Sequence, residues 1–283
     1  MSYKSVLTIV LSPADAEAQI LAAARIAEAN DGHLDILALG VDHTQAGYSY
    51  IGAGAVLMAA SVDRAEEDAR ACEKAANKAV GELPFDVRWG IETVASQVGS
   101  VVDVVANAAR FADIVVLPQP YGEGRGIDSE AVIEAAMFEG RAPVMVLPDA
   151  ATPSSLTAPK RIVLAWNQSN EALAATHAAL PLLKTADMVN VTVVDPPSHG
   201  PERSDPGGIL SQWLVRHGCK AEVSVLTLNM PRVSDVLTRH AEETGADMIV
   251  MVAYGHSRLR EAVLGGATRA MLVKCTVPVL LAH

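Results

Sequence analysis

The sequence Ala-Asp-Met-Ile-Val-Met at residues 246–251, followed by Thr-Val-Pro-Val-Leu-Leu-Ala at 276–282, decides the fold because an earlier part of the chain repeats it. The earlier copy reads Ala-Asp-Ile-Val-Val-Leu at 112–117 and Arg-Ala-Pro-Val-Met-Val-Leu-Pro at 141–148. A similar gap separates the two parts of each copy, 23 residues in the earlier copy and 24 in the later one. Self-similarity of this kind indicates a tandem repeat of one domain.

The beginnings of the two copies also correspond. Lys-Ser-Val-Leu-Thr-Ile-Val at 4–10 matches Lys-Arg-Ile-Val-Leu-Ala-Trp at 160–166, and a turn and an Ala-rich helical pattern follow each of them. Between the copies lies a stretch of small residues with two prolines, which is typical of a linker. We therefore predict two domains, at residues 1–149 and 159–283.

Short apolar runs alternate with helical patterns in each copy, which is typical of a parallel sheet with helices on both faces. The predicted fold class is α/β, with two tandem doubly wound, Rossmann-like domains packed as an internal pseudo-dimer. The last strands of the two copies would otherwise leave open apolar edges, so we expect them to meet. The predicted strands lie at 4–11, 33–41, 85–93, 113–118 and 143–147, and at 160–166, 188–195, 220–228, 247–253 and 277–281. The predicted helices lie at 15–30, 60–81, 97–111 and 129–139, and at 170–184, 207–217, 232–245 and 263–274, with a loop at 44–58.

The composition indicates in which cellular compartment the protein is found and which partners it lacks. Half of the 283 residues are apolar, yet no apolar run approaches the roughly 18 residues that span a bilayer, and the amino terminus does not resemble a signal peptide. The three cysteines show no paired spacing, which favours a reducing cytoplasm over a disulfide framework or a zinc site. We expect a cytoplasmic protein without a membrane partner.

The charge is unevenly distributed along the chain. The net charge of −11 argues against a nucleic-acid partner. Residues 1–150 hold 10 Lys and Arg against 22 Asp and Glu, whereas residues 151–283 hold 12 against 11. An anionic ligand would therefore favour the second copy.

A glycine-rich stretch in the second copy is the strongest candidate for chemistry. The fourth strand runs into Tyr-Gly-His-Ser-Arg-Leu-Arg-Glu at 254–261 and Leu-Gly-Gly-Ala-Thr-Arg at 264–269. Glycines at a strand end and at a helix start let backbone N–H groups approach phosphate oxygens, and Arg258, Arg260 and Arg269 add positive charge. Plain turn and helix-cap chemistry without a ligand explains the same residue types.

This stretch resembles the universal stress protein family. Members of that family that bind ATP carry, after the fourth strand, Gly, two residues, Gly, nine residues, Gly, and then Ser or Thr; Gly255 and Gly265 match the second and third glycines. Three positions depart from the pattern. Val252 replaces the first glycine, Gly266 replaces the hydroxyl residue, with Thr268 two positions later, and Asn167 replaces an Asp after the first strand.

The resemblance implies a bacterial stress-response regulatory protein that binds ATP or another adenine nucleotide in its second copy. Ends of neighbouring parallel strands meet at one sheet edge, so the turn after the first strand and the end of the second join the glycine stretch there. The predicted nucleotide-binding residues are Asn167, Ser169, Val194, Gly255, His256, Arg258, Gly265, Gly266, Ala267 and Thr268.

Two alternatives remain open: a scaffold that has lost nucleotide and acts through contacts with unidentified protein partners or as a homodimer, and a slow nucleotide hydrolase. We predict no catalytic residue and no metal site. Gly-His-Ser-Arg-Leu at 255–259 lacks the closing glycine of a nucleophile elbow, and the histidines show no metal-ligand spacing. The first copy carries Pro-Gln-Pro-Tyr-Gly-Glu-Gly-Arg-Gly at 118–126, which fits no phosphate loop, and we expect it to be a loop before a helix.

Overall fold

The structure is a computed structural model, and it describes residues 2–43, 53–122, 125–149, 156–196, 204–253 and 266–283, with side chains from residue 60 onward in the helix that begins at 53. The strands are β1 Ser5–Val10, β2 His33–Asp42, β3 Arg88–Gln97, β4 Ile114–Pro118, β5 Val144–Leu147, β6 Arg161–Ala165, β7 Met188–Val194, β8 Ala221–Leu226, β9 Met248–Val252 and β10 Val279–Ala282. The main helices are α1 Ala16–Ala29, α2 Ala53–Gly81, α3 Val101–Ala109, α4 Ile127–Glu134, α5 Asn170–Thr185, α6 Gly208–Arg216, α7 Val233–Thr244 and α8 Gly266–Lys274.

The chain forms two compact units. The N-terminal unit consists of Tyr3–Pro118 and Gly122–Ala142, and the C-terminal unit contains Gln119–Tyr121 and Pro143–His283. The second unit therefore includes β5, the last strand of the first repeat. We had expected five strands in each repeat, and the N-terminal unit has four in the part that the structure describes.

The N-terminal unit is built on a parallel sheet in the order β3-β2-β1-β4. The inner strands β1 and β4 are almost wholly buried, as expected for apolar strands that helices cover on both faces. The helices pack as two pairs, α1 with α2 and α3 with α4. Helix α2 lies so close to β2 that a Cβ atom at Gly40 would stand 1.9 Å from the carbonyl oxygen of Ala65.

The C-terminal unit contains a sheet in the order β5-β10-β9-β6-β7-β8. All of its neighbouring strands are parallel except β5 and β10, which pair antiparallel with Leu280 opposite Met145. Both of these strands are buried along their whole length. The prediction that the last strands of the two repeats meet is confirmed.

Helix α2 and strand β3 begin at positions that differ from the predicted ones. Helix α2 begins at Ala53, so the loop expected at 44–58 is wrong for its last six residues; residues 44–52 lie outside the described part. Strand β3 spans 88–97 and not 85–93. The segment before it is held by Phe85, whose ring lies 3.9 Å from the Arg25 guanidinium carbon, and it enters the sheet only afterwards.

Candidate functional site

The candidate site lies at the carboxyl edge of the sheet in the C-terminal unit. From β6 the chain moves outward to β7 and β8, and then returns to place β9 on the other side of β6. The strand order therefore reverses between β6 and β9. In open α/β sheets, a reversal of this kind leaves a crevice at the carboxyl ends of the strands, where ligands bind.

The turn after β6 is a helix cap. Ser169 is the N-cap of α5, and its Oγ accepts a hydrogen bond from the Ala172 N–H at 3.0 Å. Asn167 Oδ1 in turn accepts from the N–H and the Oγ of Ser169, at 3.1 and 2.7 Å. Between them, Gln168 has a φ of 64°, which ordinary residues rarely adopt. The side-chain oxygens of both predicted site residues are thus used locally, and Asn167 has its Nδ2 donors to offer a ligand.

The end of β7 brings Val194 to the same edge. Val194 is half-buried and lies in register with Leu226 of β8. The next residue, Asp195, is exposed, has a φ of 50°, and donates its N–H to the Leu226 carbonyl at 2.8 Å. This turn directs the chain out of the sheet beside the β6 turn, so the structure brings Val194 and Asn167 to adjacent strand ends, as predicted.

The end of β9 carries Val252, the first departure from the nucleotide motif. Its side chain is 9% exposed, and it pairs with Ala282 in β10. Ala253 follows and donates its N–H to the Ala282 carbonyl at 3.0 Å. The sequence analysis predicted four further site residues in the loop that follows, Gly255, His256, Arg258 and Gly265. These four lie outside the described residues.

The start of α8 holds the remaining predicted residues. Gly266 and Ala267 are exposed, and a Cβ atom at Gly266 would meet no atom of the described residues within 4 Å. Thr268 is only 3% exposed. The first N–H groups of a helix lack intrahelical acceptors and carry partial positive charge, so the backbone of this turn is suited to an anion.

A residue of the first repeat that the sequence analysis missed reaches α8. The Tyr121 ring lies 5.3 Å from the guanidinium carbon of Arg269, in the first turns of that helix. Nearby, Gln119 donates its N–H to the Leu147 carbonyl at 2.9 Å and its Nε2 to the Cys275 carbonyl at 2.8 Å. The sequence analysis considered the stretch 118–122 because of its glycine and prolines. The aromatic residue in it, Tyr121, was the signal that could have indicated the contact with α8.

Away from this edge, a buried polar network joins β7, β8 and α7. Asn190 donates its Nδ2 to Glu222 Oε1 and to Ser224 Oγ, both at 2.9 Å. Its Oδ1 faces Thr192 Oγ1 at 2.6 Å and His240 Nε2 at 3.1 Å. An amide oxygen accepts only, so His240 Nε2 carries the hydrogen. Burial lowers the pKa of His240, which favours the neutral form of the imidazole.

The cysteines are structural. Cys72, Cys219 and Cys275 are free and buried. Burial raises the pKa of each thiol, to about 11 for Cys72. Thiolates are the reactive form, so these side chains behave as small apolar residues. Within the described residues no group of three metal-binding side chains occurs, and no helix is long and apolar enough to cross a bilayer.

The fold and this edge define a Rossmann-like α/β protein with mostly parallel sheets, as predicted. Comparison with known proteins names the family. Residues 159–283 match the model of the Universal stress protein family along their whole length. The second repeat of this chain is thus similar to that family, in agreement with the resemblance drawn from its sequence.

Individual relatives agree. A universal stress protein of Synechocystis is 29% identical over 92 residues, which cover 32% of this chain and 31% of the relative. A universal stress protein of Archaeoglobus fulgidus DSM 4304 superposes with a TM-score of 0.65 at 16% identity, covering 99% of this chain and 96% of its own. A functionally unknown protein of Pseudomonas aeruginosa PAO1 gives 0.59 at 13%, with 99% and 92% covered. The two structural likenesses cover nearly the whole chain, and their fold is consistent with two tandem domains.

Proposed function

We propose that this chain is a stress-response regulatory protein whose second repeat binds an adenine nucleotide, ATP or a close relative of it, at the carboxyl edge of β6, β7 and β9. The observation that carries the proposal is the convergence of three separate segments on one edge. The turn at Asn167, the strand end at Val194 and the helix start at Gly266 are far apart in sequence, and all three follow or flank strands that meet at the β6–β9 reversal. The similarity of residues 159–283 to the universal stress protein family supports the regulatory role.

The chemistry of the edge suits a phosphate group and a polar sugar. The exposed first turn of α8 offers backbone N–H donors, and Gly266 leaves the backbone open to close approach. Arg269 adds a cation in the same helix. The Nδ2 donors of Asn167 fit the oxygen of a ribose hydroxyl or a ring nitrogen of a base. The nearly neutral second half imposes little repulsion on an anion.

A scaffold without nucleotide is the second candidate, and specific contacts favour it. The oxygens of Asn167 and Ser169 are committed to the cap of α5, and Thr268 is buried. Val252 occupies the strand end where the family's nucleotide motif has glycine. On this basis we expect nucleotide binding to be weak.

Two measurements separate these candidates. Small molecules released from the purified, denatured protein are identified by mass spectrometry, and ATP is then titrated calorimetrically into ligand-free protein. We expect one molecule of adenine nucleotide per chain, bound to the second repeat. Absence of any co-purified nucleotide together with no heat change at millimolar ATP would leave the scaffold as the function.

A further inference from the structure

The N-terminal unit has its own crevice at the corresponding reversal of strand order. From β1 the chain moves outward to β2 and β3 and returns to place β4 on the other side of β1. At the carboxyl ends of β1 and β4 lies a cavity of about 130 Å³. Liquid water occupies roughly 30 Å³ per molecule, so the cavity has room for about four waters or a compound of similar size.

The floor of this cavity contains a buried amide with an unused acceptor. Gln19, in α1, is 3% exposed and lines the cavity. Its Nε2 donates to Thr8 Oγ1 at 2.8 Å and to the Ile9 carbonyl at 2.7 Å, which fixes the orientation of the amide because the carbonyl can only accept. Among the described residues no donor reaches Gln19 Oε1. This oxygen is therefore available to accept a hydrogen bond from a ligand or from water in the cavity.

Two carboxylates stand at the rim, and each has one oxygen committed. Asp15 Oδ1 accepts from Arg125 Nη2 at 2.8 Å, and Asp128 Oδ2 lies 3.0 Å from His43 Nε2. Both aspartates line the cavity, and their side chains are 27% and 30% exposed. The second oxygen of each carboxylate is left to accept a further hydrogen bond.

Among the described residues, the polar side chains that line the cavity are the two carboxylates, the Gln19 amide and the hydroxyls of Ser12 and Ser129. The amide donors of Gln19 are already used, and hydroxyls accept or donate as a ligand demands. Arg125 and His43 each contact one oxygen of a carboxylate, which leaves the other oxygen for a ligand. A phosphate placed here would lie beside two carboxylates, whereas a positively charged donor is suited to the acceptors that remain.

We propose that the first repeat binds a small primary ammonium compound in this cavity, with its N–H groups directed at Gln19 Oε1, Asp15 and Asp128. The three residues line one cavity, and an ammonium group carries three donors and no acceptor. The aliphatic walls from β1, β4 and α4 contact the carbon atoms of the ligand. This site is independent of the nucleotide proposed for the second repeat.

The test uses three compounds that differ in charge and little in size: ethanolamine, ethylene glycol and glycolate. Each is titrated into the full chain at constant ionic strength and followed by ¹H–¹⁵N NMR, with the side-chain amide signals of Gln19 as the local reporter. We expect saturable shifts with ethanolamine in the millimolar range that fragment-sized ligands reach, weaker binding of ethylene glycol, and no saturation with glycolate. Glycolate binding as tightly as ethanolamine would overturn the proposal.

A pair of isosteric variants locates the site. Asp128→Asn removes one rim charge, and Asp35→Asn removes a carboxylate of the same unit that lies on β2 outside the cavity lining. We expect the first variant to weaken ethanolamine binding roughly fivefold, as loss of a part-exposed charge pair would, and the second to leave it unchanged. Equal affinities for both variants and the parent protein would refute the assignment, provided their spectra show the native fold.

Discussion

Replacing Val252 by glycine restores the family's motif at the strand end and measures what the valine does there. The side chain is 9% exposed, so the substitution removes nearly all of a buried valine. That loss is about 1.5–3 kcal/mol, and glycine within a strand adds about 0.5–1 kcal/mol. We therefore expect the C-terminal unit to lose about 2–4 kcal/mol of stability. At about 4 °C per kcal/mol for a domain of this size, the melting temperature falls by ~8–16 °C.

Nucleotide affinity is expected to change in the opposite direction. If the valine methyls stand beside the ligand at this edge, their removal opens space for it, and we expect ATP to bind at least tenfold more tightly to folded Val252→Gly. Val252→Ala is the matched intermediate, since it keeps the Cβ, and with it a more restricted backbone than glycine, while removing the two methyls. It should recover most of the gain at a smaller cost in stability.

The assay is calorimetric titration of ATP into the three proteins at a temperature where circular dichroism shows each to be folded. Micromolar binding to the parent protein, unchanged in both variants, would mean that Val252 does not border the ligand. The alignment of the nucleotide motif onto this strand end would then be wrong. A loss of stability far below 2 kcal/mol would contradict the burial of the Val252 side chain.

Three further predictions follow from particular positions. Gly40→Ala should destabilise the N-terminal unit by several kcal/mol in urea unfolding, because the new Cβ would stand 1.9 Å from the Ala65 carbonyl oxygen. Gly90→Ala in the neighbouring strand is the control. Its Cβ would have its nearest atom at 3.7 Å, so it should cost less than about 1 kcal/mol. Gly266→Ala should leave stability unchanged, since its Cβ would meet no atom of the described residues within 4 Å, but should weaken ATP binding about tenfold in a titration if the backbone there contacts the ligand. His240 has a lowered pKa in the folded state, so the unfolded chain binds more protons and stability should fall as the pH drops from about 6.5 toward that pKa. His240→Gln should flatten this slope in urea unfolding at several pH values, and an unchanged slope would contradict the role of burial.

The sequence predicted the buried parts of the fold well, for a physical reason. Strands β1, β6 and β9 are apolar on both faces because helices cover both sides of the sheet, so their runs are unmistakable. Strand β3 is mostly exposed and carries polar residues at half of its positions, which weakens its pattern and displaced its predicted bounds. The partner of β5 depends on contacts between distant segments, and the pairing with β10 was predicted from the need to cover an apolar edge.

The candidate site was predictable in its location and less so in its chemistry. Parallel strands bring their carboxyl ends to one edge, so Asn167, Val194 and Gly266 could be assigned to it from their positions alone. Which atoms remain for a ligand depends on side-chain conformation: Asn167 Oδ1 is already bonded, and Thr268 is buried. The cavity beside Gln19 could not be predicted, because the orientation of one buried amide depends on Thr8 and on a carbonyl of the adjoining strand.

The antiparallel pairing of β5 with β10 has a consequence for the covalent connection between the two repeats. Each strand closes the polypeptide of its own repeat, and each covers the open edge of the other. A cut in the linker at 150–159 would turn an internal contact into one that depends on concentration, and would leave an apolar edge on both fragments. The covalent linker therefore keeps the two repeats in equal number, and it lets the first repeat diverge toward a different ligand chemistry without losing its place beside the last strand of the second.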